Sequence, residues 1–412
     1  MTGTVLVLGG VALIGLGGCA SQGGGAAQAK TVWPAAVVHL HASGNAFLVD
    51  PASDQVVARL KTEKGASLGA TTPDGRKVYL GSEAEGGTTV SVIDLARRDV
   101  VAKIRTGNRP KHPAVSPDGK WVMVNHWGLD GGKLRVAFID TATDKVAKNV
   151  DLAVAGQAKG PTSMHNAWSY DSRLAFTVDR VDDNLVIIDT RDWSVRKIHT
   201  PSKPHYPVPS PDGRELWLVV EGRDAVKERP AALVYDLTQA GMPMIARVDM
   251  PLTNQGVIEG HHGNFTQDGR HFYLLNRGPG KKSQGTEVAV FDAKTKKLVA
   301  RAETGSTGIG HAYNTPDGKY AVITNYGNNK ISFIDAKTFR LVKDLTVGKG
   351  RMGHVAFTPD GRYGYVSNAG DGNLHKIDMA SLSEVKTIET GNFPGGSQVL
   401  NVWTNVFEEL PR

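Results

Sequence analysis

The chain has 412 residues, of which 40% are hydrophobic and 22% charged, with 48 Gly, 20 Pro, 13 His and one Cys. One thiol excludes an internal disulfide framework, a thiolate zinc site and an iron–sulfur cluster, each of which needs several. The formal charge of +7 is spread over scattered Lys and Arg with no basic block, so it excludes a nucleic-acid-binding run.

Taken in chain order, residues 4–18 form an apolar stretch that ends immediately before Cys19. It is shorter than the roughly 20 residues of a membrane-spanning helix and suits the core of a signal peptide. The segment Leu16-Gly17-Gly18-Cys19 resembles a bacterial lipobox, although no Lys or Arg precedes the apolar stretch. The resemblance implies cleavage before Cys19 and lipidation of its thiol, and Ala20 after it implies outer-membrane sorting. The expected organisation is a signal peptide over 1–18, a lipidated tether over 19–31 and a folded body over 32–407.

The body is repetitive. A Ser/Thr-Pro-Asp-Gly turn opens at Thr72, Ser116, Ser210, Thr315 and Thr358, with degenerate copies at Ser169 and Thr266. Pro presets φ and Gly accepts positive φ, so each copy is a tight connection between two strands. After each turn come a β-rich segment, a polar loop and a second apolar segment ending in Asp. That Asp falls at Asp50, Asp94, Asp140, Asp189, Asp236, Asp292, Asp335 and Asp378. A four-stranded unit of this period is a propeller blade. Eight such Asp against seven turns predict an all-β, single eight-bladed β-propeller, with a seven-bladed ring as the alternative. One blade is split: residues 397–403 supply its inner strand and residues 36–59 its outer three. That pairing leaves no exposed sheet edge.

The units, best seen at Thr315-Pro-Asp-Gly-Lys-Tyr-Ala-Val-Ile-Thr-Asn325, resemble the YVTN family of propeller repeats, related to the haem d1 domain of cytochrome cd1 nitrite reductase. The resemblance spans roughly residues 36–403. It implies a haem-type tetrapyrrole as one candidate cofactor.

Counting four residues back from the Ser/Thr of each turn gives His112, His165, His262, His311 and His354; His205 sits five back in the fourth blade, and His261 doubles His262. The first blade has Leu68 there. This position starts the innermost strand and faces one mouth of the channel. The loop after the second strand returns to the same mouth and is expected to bring Asn125, His126, Arg277, Asn325 and Asn368, with His39 or His41 from the split blade. Imidazole is the commonest metal-binding side chain. The expected metal ligands are therefore His112, His126, His165, His205, His261, His262, His311 and His354, holding copper or, second, zinc. Adjacent-blade triads, His112–His165–His205 and His262–His311–His354, are expected to act separately. For a tetrapyrrole, His311, His354 and Arg277 are the expected contacts. Against these stands a structural role, each imidazole satisfied by a backbone carbonyl of its neighbour. His199, His271 and His375 are expected on the surface, Trp168 between blades, and Glu259 at the rim.

Three functions follow: a lipid-anchored metal carrier or redox protein, a tetrapyrrole-binding protein, or a non-enzymatic interaction propeller. Whether the chain turns over a substrate is left open. The expected partners are the membrane through its lipid, a small anionic ligand near Arg109 and Lys111, and a periplasmic protein, with the chain itself monomeric.

Overall fold

A computed structural model describes residues 36–66, 68–200, 202–222, 229–252, 259–278, 284–391 and 397–401. The leader, Cys19 and the tether lie outside the described residues. What is described is all-β: eight four-stranded antiparallel sheets, with no helix among these residues. The sheets are the eight blades, and the seven-bladed alternative is overturned.

Seven blades are continuous in sequence. Their inner strands are Gly69–Thr71, Pro110–Val115, Ala167–Trp168, Pro204–Pro209, Gly260–Phe265, Ile309–Asn314 and Met352–Phe357; we number these blades 1 to 7. Blade 8 closes the ring. Its inner strand Ser397–Asn401 pairs with Val37–His41 in the register Val37 to Asn401, and Asn45–Asp50 and Gln55–Lys61 follow outward. The split predicted from the repeat count is the one observed.

The turns owe their recurrence to local hydrogen bonding. Thr315 Oγ1 donates to Asp317 Oδ1 (2.6 Å) and accepts the Tyr320 N–H (3.0 Å), while Asp317 Oδ1 accepts the Lys319 N–H (3.0 Å). Gly318 at φ +66° lets the chain reverse. The degenerate copy works the same way: Ser169 donates to Asp171 (2.6 Å) and Ser172 takes the glycine's place at φ +60°. The Asp ending each third strand closes the next turn, as where Asp335 Oδ1 accepts the N–H groups of Lys337 (3.0 Å) and Thr338 (2.7 Å).

The core lies between neighbouring blades. Trp217 of blade 4 is fully buried against Phe272 and Phe265 of blade 5, ring centroids 4.6 and 5.5 Å away. Trp168 packs between blades 2 and 3, as expected, and its Nε1–H donates to the Ala114 carbonyl (3.0 Å). Polar staples cross the same seams. Lys77 and Tyr79 of blade 1 both reach Asp144 of blade 2, at 2.7 and 2.5 Å. Lys376 and Tyr365 of blade 7 repeat the device on Asp54 of blade 8, at 2.7 and 3.2 Å.

Candidate functional site

In blades 2, 4, 5, 6 and 7 the inner strand slips register against its neighbour where the histidine sits. The breaks span Pro110 to Pro113, Pro204 to Tyr206, Gly260 to Gly263, Ile309 to His311 and Met352 to Val355. An extra residue in a ladder is a β-bulge, which bends the strand and re-aims a side chain. His112, His205, His261, His262 and His354 lie inside the breaks, and His311 ends one. The N–H groups released from the ladder are not orphaned: His112 N–H donates to Asn125 Oδ1 (3.1 Å) and His354 N–H to Ser367 Oγ (2.8 Å). Two blades have short unbroken ladders: blade 1, from Gly69 to Thr71, with Leu68 before it, and blade 3, from Ala167 to Trp168, with His165 two residues before it.

The six imidazoles at these bulges, with His165 from just before the inner strand of blade 3, form one buried cluster. His112 meets His165 (ring centroids 5.1 Å), His165 meets His262 (4.4 Å), His262 meets His311 (4.3 Å) and His311 meets His354 (4.4 Å). His205 joins through His165 (5.1 Å) and His261 (4.6 Å), and His261 stacks on His262 (4.4 Å). All seven are 7% exposed or less. The expected division into two triads on opposite sides does not hold. His165 and His262, from non-adjacent blades, approach to 3.1 Å between Nε2 atoms. The sets whose ring nitrogens converge are His165–His205–His262 and His261–His262–His311.

Burial holds every member neutral. Desolvation is the largest cause throughout. It brings His112 and His354 down to about 3 and His205 to about 4, against an ordinary 6.5. His165, His261, His262 and His311 fall well below that value too, each helped by neighbouring imidazoles. Neutral imidazoles keep a lone pair for a metal or for a hydrogen-bond donor.

The rim is set by one repeated position, the first residue after each second strand, whose N–H returns to the segment preceding the inner strand. Trp127 bonds to Arg109, Arg180 to Thr162, Glu221 to Lys203, Arg277 to Glu259 and Tyr326 to Gly308, all at 2.9 Å. Three ion pairs ring the cluster: Lys111 with Glu83, Arg277 with Glu259, and Arg180 with Glu221 at 2.8 Å. Lys111 also lies 4.3 Å over the Trp127 ring and Arg109 5.4 Å over it. Burial alone would raise the Glu221 carboxyl, but His205, Arg180 and Arg277 outweigh it and bring it down. The sequence pattern does not single out Arg180, Glu221 and Tyr326, although their spacing from the second strand matches that of Arg277.

Other expected members lie elsewhere. His126 is buried away from the cluster, its ring nitrogens 2.9 Å from the Arg135 carbonyl and 3.2 Å from Thr106 Oγ1. His39 and His41 face each other (4.6 Å) and share Thr390 Oγ1, at 3.1 and 3.3 Å. Asn325 and Asn368 bend their own loops: Asn325 Oδ1 accepts the Gly327 and Asn328 N–H groups, and Asn368 Oδ1 those of Gly370 and Asp371. Of the three histidines expected on the surface, His199 is exposed and His271 half-buried, but His375 is buried with Nδ1 2.7 Å from Glu384. The carbonyl pairing of the structural alternative holds for His261 (Nδ1 to the Gly310 oxygen, 3.0 Å) and for His126 outside the cluster.

Residues 127–325 match the family described as the cytochrome D1 heme domain. Among solved structures, the chain resembles the dihydro-heme d1 dehydrogenase NirN in complex with DHE, at 23% identity and a TM-score of 0.71, over 89% of this chain and 75% of that one. It resembles hydrazine synthase of Kuenenia stuttgartiensis at 19% identity and 0.58, over 77% and 96%. It resembles the periplasmic gluconolactonase PpgL of Pseudomonas aeruginosa at 18% and 0.58, over 76% and 97%. No curated protein matches the chain. At these identities the structural likenesses speak to the fold.

Proposed function

We propose, for a chain related to the cytochrome D1 heme domain, that the imidazole-lined end of the channel binds a haem d1-type tetrapyrrole. One observation carries this reading: the matched segment 127–325 contains five of the seven clustered imidazoles, His165, His205, His261, His262 and His311. The donor chemistry fits. Haem iron accepts a neutral imidazole nitrogen as axial ligand, and burial keeps these imidazoles neutral. His311 and His354 are the donors we assign, His354 being held by Tyr313 (2.6 Å from its hydroxyl to Nδ1). Arg277 and Lys111 supply cations for acidic ring substituents. Once bound, the group would supply redox-active iron. The kinship supports the tetrapyrrole and says nothing of a bare copper or zinc ion.

The test is a titration of the metal-free protein with haem d1 and with iron protoporphyrin, followed by absorbance. We expect a Soret shift. His311→Ala or His354→Ala should change the bound spectrum, and Arg277→Ala should weaken binding about tenfold while leaving the spectrum alone. No shift with either compound overturns the reading. We also infer a cell-envelope location, supported by the leader and Cys19; Cys19→Ser should move the protein from the membrane fraction to the soluble one.

A further inference from the structure

His165, His205 and His262 come from blades 3, 4 and 5, are buried, and each turns one ring nitrogen to within 4.8 Å of the other two. None of them is among the donors assigned above to the tetrapyrrole. Two nitrogens bound to one ion at about 2.0–2.1 Å stand roughly 3–3.4 Å apart at angles near tetrahedral. His165 Nε2 and His262 Nε2 are 3.1 Å apart, so they are spaced as a ligand pair.

The third member carries the feature that distinguishes a ligand from a packed ring. His205 Nδ1 lies 2.5 Å from Glu221 Oε1. That contact makes Nδ1 the protonated nitrogen and leaves the lone pair on Nε2. His205 Nε2 is buried and has no hydrogen-bond partner. Glu221 is itself fixed by Arg180 at 2.8 Å. A carboxylate behind an imidazole is how metal sites set the tautomer and orientation of a histidine ligand. In the second converging set, His261–His262–His311, His261 Nδ1 faces the Gly310 carbonyl (3.0 Å).

We propose that His165, His205 and His262 bind one divalent transition-metal ion, with Glu221 as the positioning carboxylate behind His205. Three imidazoles and no thiolate suit Cu²⁺ and Zn²⁺, with Cu²⁺ bound more tightly in the general order of divalent affinities. The site stands independently of the tetrapyrrole.

The experiment uses full-length protein without an affinity tag, stripped by a chelator and titrated with Cu²⁺ and, separately, Zn²⁺. Paramagnetic resonance of the Cu²⁺ form counts coordinated nitrogens. We expect one ion per chain and three imidazole nitrogens. His205→Ala should weaken binding at least about 100-fold, Glu221→Gln about 10–100-fold, and His39→Ala, outside the cluster, should not change it. Thermal melts establish that each variant is folded. If His205→Ala does not fold, Glu221→Gln and the nitrogen count decide. Failure of folded wild-type protein to bind stoichiometrically overturns the proposal. So does binding that survives both His205→Ala and Glu221→Gln, or that is lost with His261→Ala alone. His354→Ala, which removes an assigned tetrapyrrole donor and none of the three metal ligands, should change the bound tetrapyrrole spectrum and spare Cu²⁺ binding, so the two readings fail separately.

Discussion

Lowering the pH from 7.5 to 5.0 should destabilise the metal- and tetrapyrrole-free protein steeply, and the histidine cluster sets the size of the effect. Burial holds the folded-state pKa of His112 and His354 at about 3, whereas the unfolded chain offers imidazoles at 6.5. For a base depressed on folding, the stability contribution is complete above 6.5 and is lost as pH falls toward the folded value, because only the unfolded chain takes up the proton. Between 6.5 and 5.0 each such imidazole loses about 2 kcal/mol, at about 1.4 kcal/mol per pH unit. His112 and His354 alone account for about 4 kcal/mol, against typical net stabilities of about 5–15 kcal/mol. The carboxylates do not confuse this window. Asp189 is held below its ordinary value by hydrogen bonds from Arg191 and Arg173, and Asp335 by those from Thr338 and Lys337, each against the opposing effect of burial, so both titrate below this window. Urea unfolding followed by tryptophan fluorescence at pH 7.5, 6.0 and 5.0 measures the slope. The free energy should fall by several kcal/mol, and His354→Gln should remove about one imidazole's share of the fall. A free energy constant to within about 0.5 kcal/mol over this range would refute the reasoning.

Other outcomes follow from the same contacts. Asn125→Ala removes the acceptor of the bulged His112 N–H, and should cost about 1–3 kcal/mol in chemical denaturation. Asp144→Ala strips partners from Lys77 and Tyr79 at the seam of blades 1 and 2, and should lower stability by about 2 kcal/mol. Trp217→Ala opens a cavity between blades 4 and 5 and should cost about 3–5 kcal/mol. Ending the chain before Ser397 exposes the edge of Val37–His41, so the truncated protein should associate more than the full chain in analytical ultracentrifugation.

The fold was legible because its cues are local. Thr315, Asp317 and Gly318 hydrogen-bond within a few residues of one another, so the sequence pattern and the turn are one thing, and counting turns against strand-ending Asp counts the blades. The site was legible only in part. Register told which strand each histidine starts, but not the bulge that decides where its ring points. The bulge between Gly260 and Gly263 accompanies the approach of His262 to His165, two blades away, where separate triads were expected. Loop residues misled for another reason: Asn325 and Asn368 are consumed by their own backbone turns, and His126 by Arg135 and Thr106. Glu221 is not legible in the sequence, because a single carboxylate after a strand has no distinguishing pattern without the fold that sets His205 against it.

The bulges have a further consequence. Six of the seven clustered histidines stand at a stretch of strand released from its ladder, with the N–H of His112 tied to Asn125 and that of His354 to Ser367. The contents of the channel can therefore change by substitution at these positions while the sheets behind them keep their pairing and their packing. The inner strands act as a row of interchangeable sockets on a fixed frame. Blades 1 and 3 lack the slip: blade 1 carries Leu68 at the position, and blade 3 brings His165 to the cluster from just before its ladder.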